Sequence, residues 1–412
     1  MHSSTMNRGA KDWKKDRKKN PESAGSKSAL GCALWSYAAI FCVLLAAAQL
    51  AGAQTESILH SFINTPDGDN PRSSVILDAA GNIYGTTLQG GVYGHGSVFM
   101  TTPEGKETAL YSFTGATDGN YPIAGVVLDK KTGNLYGATL AGGASGNGTV
   151  FEVTPSGKET VLYSFKGGVD GANPYSAPLR AGTNIYGMTE VGGAFGYGTV
   201  FKLNAAGNET VLHSFNSASP TLDGAYPVGD LVLEKGVLYG LTNWGGAFNF
   251  GAIFSITTKG VEKVLYSFKG GTTDGYLPYG AVVFDKSGNL YGTTHEGGAS
   301  GQGIVFELTP AGTEVVLHSF GANSTDGKTP TAGLIFHKNN FYGTALQGGS
   351  AGLGTVFEIT PDGVETVLHS FTGGSDGTNP VGALGLGKKG TLYGTTAQGG
   401  ASNFGTVFKV VP

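Results

Sequence analysis

The sequence predicts an all-β protein, a seven-bladed β-propeller with four antiparallel strands per blade, and three observations predict it. First, short motifs recur in register along 412 residues. An SF pair has its Phe at 62, 113, 165, 215, 268, 320 and 371, and a YG pair has its Tyr at 84, 136, 186, 239, 291, 342 and 393. Second, the Phe-to-Phe spacing of 50 to 53 residues matches a repeat of blade size. Third, 71 glycines accompany 40% hydrophobic and 10% aromatic residues. That mixture suits many short strands joined by turns better than a disordered chain.

One unit shows the four strands. PIAGVVLD, starting at Pro122, is an apolar, β-branched run suited to an inner strand. KKTGN is a tight turn around Gly133, and LYGATL is the second strand. The Gly-rich loop AGGASGNG leads to TVFEVTP, whose apolar and polar residues alternate as in a half-buried strand. SGK turns the chain into ETVLYSF, and KGGVDGANP leads to the next unit. The repeat region opens on ESILHSF, a fourth strand without the first three, and closes on FGTVFKVVP, a third strand without a fourth. The N-terminal strand is therefore expected to complete the last blade and to pair two otherwise open edges. Past the N-terminal segment, no stretch holds a helical apolar period.

Residues 1–53 read as a basic N-terminal region and signal peptide, and residues 54–412 as the propeller. The apolar run Ala38–Ala48 follows a basic stretch, and Ala51 and Ala53 stand where a cleavage site needs small residues. An uncleaved signal anchor is the alternative, because residues 29–53 are long enough to cross about 30 Å of hydrocarbon. Both place the body outside the cytoplasm, as a secreted, periplasmic or extracellular protein with no other membrane contact. Eight of the 26 basic residues but three of the 30 acidic ones lie in this segment, so the remainder has a net charge of −9, which argues against nucleic acid as a partner. Cys32 and Cys42 also lie there, so the body has no disulfide. A monomer is expected.

The seven copies of SF…DGxxP…GNLYGTT…GG…GTVF…TPxGxE resemble the choice-of-anchor, or GloVer, tandem-repeat family of exported bacterial proteins. The resemblance covers residues 56–412 and implies export, often with surface anchoring, but no particular reaction. The PxxGVVLDxxGNLYG portion is also similar to NHL-type propeller blades, which implies that this first strand lines the central channel. The DGxxP and GG loops would then share one face.

Seven-fold regularity filters the candidate sites. Asp67, Asp118, Asp170, Asp223, Asp274, Asp326 and Asp376 recur at DGxxP, where an Asp caps the backbone of a Gly-rich turn. Calcium is the one ion this ring would suit; otherwise no metal or cofactor is expected. The residue before each SF is His or Tyr, which reads as packing with a polar tip. Function is expected where repeats differ. On blades three and four, Phe195, Tyr197, Trp244, Phe248 and Phe250 gather aromatic surface. With Asn243 they would stack on and hydrogen-bond to an extracellular glycan or other surface ligand. Glu190, His295 and Glu296 are the acid–base candidates for a polysaccharide lyase or hydrolase, although no nucleophile motif accompanies them. A binding module is the expectation over an enzyme; a protein-interaction scaffold is the third alternative.

Overall fold

The computed structural model describes residues 55–217 and 223–412. The expected signal or anchor segment therefore lies outside the described residues. Seven four-stranded antiparallel sheets form the blades of a propeller. Blade 2 is representative, with strands Val127–Leu128, Leu135–Thr139, Thr149–Val153 and Glu159–Ser164 from inside to outside. Blade 7 is built from both ends of the repeat region: Thr55–Ser61 pairs antiparallel with Thr406–Val411, as the sequence predicts. Helix is confined, among the described residues, to three single 3-10 turns.

The recurring motifs account for one another once folded. Each SF Phe is fully buried and packs edge-on against the VF or IF Phe of the next blade, as Phe113 does on Phe151 with ring centroids 5.0 Å apart. The Phe151 ring in turn covers Gly137, the glycine of its own blade's YG pair, leaving no room there for a side chain. The apolar cores accordingly lie between blades, as in the cluster of Val98, Phe113, Val126, Leu135, Phe151 and Val153. Aromatic pairs of this kind contribute about 0.5–1.5 kcal/mol beyond their burial, and this contact occurs at all seven junctions.

The inner strands depart from expectation. PIAGVVLD reads as one continuous strand, yet its ladder spans only Val127–Leu128, whereas blades 4 and 5 have Gly224–Glu234 and Gly275–Phe284. The reason is crowding at the axis. A Cβ on Gly125 of blade 2 would lie 2.8 Å from the Ser74 carbonyl oxygen of blade 1. Even the long strands of blades 4 and 5 lose ladder pairing between Val228 and Val232 and between Tyr279 and Val283, where a Cβ on Gly229 would lie 1.7 Å from the Gly280 carbonyl oxygen. Backbones there touch directly and leave their own ladders. The DGxxP and post-YG segments pair on one face in every blade, as in Asn120↔Ala141 and Tyr276↔Glu296. The long loops thus share a face.

Candidate functional site

The three residues after each conserved Pro line the axis. Most are small: Ser74, Gly125, Ala177, Ala281, Gly333 and Ala383 share one repeat position. At that same position blade 4 carries Asp230. The result is a cavity of about 310 Å³ to which all seven blades contribute, with Arg72, Tyr175, Asp230, Tyr279, His295 and Gln398 as its functional groups. Asp230 accepts the Ala177 N–H at 2.7 Å, but burial dominates and pushes its carboxyl up to about 6. Burial also raises the Tyr175 phenol to about 12, helped by Tyr279 and Glu190 nearby. His295 is held below the ordinary imidazole value by burial, against the opposing pull of Glu296. Its Nδ1 is buried without a hydrogen bond and stands 3.6 Å from Glu296 Oε1.

Of the residues expected to act together, the structure unites some and separates others. His295 lines the cavity, and Glu190, raised by burial, acts on its Tyr175 wall. Glu296 accepts a hydrogen bond from Tyr276, whose ring lies 5.5 Å from Phe250. A continuous path of contacts thus runs from exposed Phe250 through Tyr276, Glu296 and His295 to Tyr279 in the cavity, the last two rings 5.8 Å apart. Trp244, Phe248 and Phe195 are exposed, at 41%, 51% and 55%. Phe195 borders a separate depression with His213, Asp223 and Glu262. Tyr197 is half-buried against the Tyr226 ring, and Asn243 is buried with its Oδ1 unpaired.

The repeated Asp residues accept from the backbone and from the residue before SF. Asp118 takes the Thr114 N–H and the Tyr111 hydroxyl, and Asp67 takes the Ile63 N–H and meets His60 Nε2 at 2.8 Å. The equivalent contacts of Asp170, Asp223, Asp274, Asp326 and Asp376 are made by Tyr163, His213, Tyr266, His318 and His369. Sequence reasoning passed over the Glu of TPxGxE. In each blade this residue (Glu56, Glu107, Glu159, Glu209, Glu262, Glu314 or Glu365) has one carboxyl oxygen buried and unpaired. Burial, with a neighbouring Asp, pushes Glu107 up to about 8 and Glu159 up to about 7. Also passed over were Tyr175, Asp230, Tyr279 and Arg72. Their signal was available, because the inner segments PRSS, PYSA, PVGD and PYGA depart from the common small-residue pattern.

The Gloeobacter/Verrucomicrobia repeat signature matches residues 44–177, 108–286 and 271–412. The chain belongs to the Gloeobacter/Verrucomicrobia repeat family. No curated protein matches it. Among solved structures, this member of the repeat family is similar to the extracellular domain of the one-component system BT4673 from Bacteroides thetaiotaomicron, at 14% identity and TM-score 0.51. It is also similar to PorZ, a surface component of the type-IX secretion system of Porphyromonas gingivalis, at 15% identity and TM-score 0.52. The alignments cover 87% and 85% of this chain but only 42% and 47% of those chains, and at such identity they establish the fold alone. No helix among the described residues is long and apolar enough to cross a membrane.

Proposed function

We propose that this chain is an exported propeller module that binds a glycan on its long-loop face, with one sugar unit seated in the channel mouth. The observation that carries the reading is the contact path from exposed Phe250 through Tyr276, Glu296 and His295 to Tyr279. It joins aromatic surface outside the channel to a cavity of about 310 Å³, a size suited to a small ligand. Tyr175 and Tyr279 offer apolar faces there, while Arg72, Asp230, His295 and Gln398 offer donors and acceptors, the combination that a sugar ring requires. The basic and apolar N-terminal region and the repeat family support export.

The test is a broad glycan array with the wild-type protein, followed by calorimetry on the best hit. An exposed aromatic stacking contact contributes about 0.5–1.5 kcal/mol, so Trp244→Ala weakens binding roughly 2- to 10-fold without lowering Tm. Tyr279→Ala, inside the cavity, reduces it further. A blank array, or wild-type affinity in both variants, overturns the reading.

A second reading is favoured by one observation. A carboxyl poised at about 6 and an imidazole held neutral line the same cavity, which suits proton transfer in a polysaccharide lyase or hydrolase. It requires turnover on a polysaccharide panel that Asp230→Asn and His295→Ala abolish.

A further inference from the structure

Four junctions between blades share a constellation that the other three lack. His60 with Asp67 meets Glu107, His213 with Asp223 meets Glu262, His318 with Asp326 meets Glu365, and His369 with Asp376 meets Glu56. In each, the His and Asp come from one blade and the loop that follows it, and the Glu comes from the outer strand of the next blade. One imidazole nitrogen and two carboxylate oxygens lie within 4.8 Å of one another. The His–Asp contacts are 2.8, 2.9, 3.3 and 3.0 Å. At these four junctions, as at the other three, a Glu oxygen is buried with no hydrogen-bond donor, an arrangement that a folded protein rarely leaves without a proton, water or ion. Only at the four does an imidazole nitrogen join the Asp and Glu carboxylates.

We propose that these four junctions are binding sites for a divalent transition-metal ion of the zinc or manganese class, each held by His Nε2, an Asp carboxylate and the Glu of the neighbouring blade. Such an ion binds nitrogen and oxygen at about 2.0–2.2 Å, and a mixed imidazole–carboxylate set suits it better than calcium, which takes six to eight oxygens. Binding displaces the proton that His Nε2 shares with Asp, and leaves the second and third ligands across a blade junction. The ion would then fasten one blade to the next. Two of the sites flank blade 7 and draw on its N-terminal strand, through Glu56 and His60. That strand would be held to blade 6 on one side and to blade 1 on the other.

The molecule contains its own controls. At the remaining junctions Tyr111, Tyr163 and Tyr266 replace the His and donate a hydroxyl hydrogen bond to the same Asp. A neutral phenol is a poor ligand, so these three junctions are expected to stay free of metal. His→Tyr is therefore a substitution that the fold already accepts at this position, with the ring stacked edge-on against the SF Phe in both cases.

The experiment uses the full chain, stripped with EDTA and titrated separately with Zn2+, Mn2+ and Ca2+, with bound metal counted by equilibrium dialysis and mass spectrometry. Four Zn2+ or Mn2+ ions per chain are expected, one for each cluster. The number falls to three in His60→Tyr and to none in the variant combining His60→Tyr, His213→Tyr, His318→Tyr and His369→Tyr. Glu107→Gln, which keeps the side-chain shape, also loses one ion and so checks the first site without touching its His. The wild type gains Tm with metal and the four-fold variant does not. Absence of bound metal in the wild type, calcium binding in place of zinc or manganese, or a metal count unchanged by the His→Tyr substitutions overturns the proposal.

Discussion

Substituting Ala for Gly137 while Phe151 is present or absent measures the contact on which every blade is built. Gly137 has an ordinary strand conformation, so Ala meets no backbone penalty there. Its Cβ would lie 2.3 Å from Phe151 Cζ and 2.8 and 3.0 Å from the two Cε atoms. Overpacking of that kind costs about 1–3 kcal/mol, against roughly 0.5–1 kcal/mol gained by replacing a strand glycine. Gly137→Ala alone should therefore destabilise by up to about 2.5 kcal/mol once the two terms are combined. In a Phe151→Leu background the ring tip is gone, the clash term vanishes, and the same Ala becomes stabilising by about 0.5 kcal/mol. The double-mutant cycle, read from urea unfolding followed by near-UV circular dichroism, should give a coupling energy of about 1–3 kcal/mol. Additive behaviour within about 0.5 kcal/mol would refute the claim that the VF ring dictates the YG glycine.

Three further outcomes follow from the same structure. Glu107 titrates at about 8 and Glu159, Glu209, Glu262, Glu314 and Glu365 at about 7 in the folded protein, against 4.5 for the free group. The unfolded chain then binds fewer protons across that interval, so the contribution of these groups is complete below about pH 4.5 and is lost as pH rises toward 8. Tm measured in EDTA should fall from pH 5 to 8, less steeply in Glu107→Gln; a rise would contradict the burial of these carboxyls. Asp230→Asn keeps an acceptor for the Ala177 N–H but removes a charge that burial disfavours. It should raise Tm at pH 8, leave it unchanged at pH 4, and abolish ligand binding, and a lower Tm at pH 8 would show that the Asp230 charge is structural. Deleting Thr55–Ser61 exposes Thr406–Val411 as an open edge, so light scattering should report larger assemblies than the full chain forms; a stable deletion of unchanged assembly size would show that closure is dispensable.

What was readable in the sequence was whatever a single repeat contains. SF, YG and the VF pair set blade number, strand order and the N-terminal closure, because each motif plays the same part seven times. The catalytic and binding candidates were sought only at the post-YG and GG positions, which singled out His295, a residue of the cavity wall, but missed Tyr175 and Tyr279 one residue past the conserved Pro and Asp230 three residues past it. The inter-blade Glu residues were hidden for a different reason. Glu107 meets Asp67 across 40 residues of chain, a contact between repeats that no pattern inside one repeat can display. Discounting every feature that recurs seven times also hid a distinction among junctions, since the His or Tyr before SF decides which of them sets an imidazole nitrogen beside the two carboxylates.

The strand that closes blade 7 also sets a timetable. Thr55–Ser61 is synthesised first among the strands, but its partner Thr406–Val411 comes last. At about 5–20 residues per second the early strand waits roughly 20–70 s for the other 345 or so residues. For all of that time it has no partner strand. Its sequence, TESILHS, flanks only two adjacent aliphatic residues, Ile58 and Leu59, with polar Glu56, Ser57, His60 and Ser61, which limits its capture by another chain during the wait. The final pairing is the contact of greatest sequence separation in the molecule, and its formation rate should govern how soon after export the propeller becomes resistant to proteolysis.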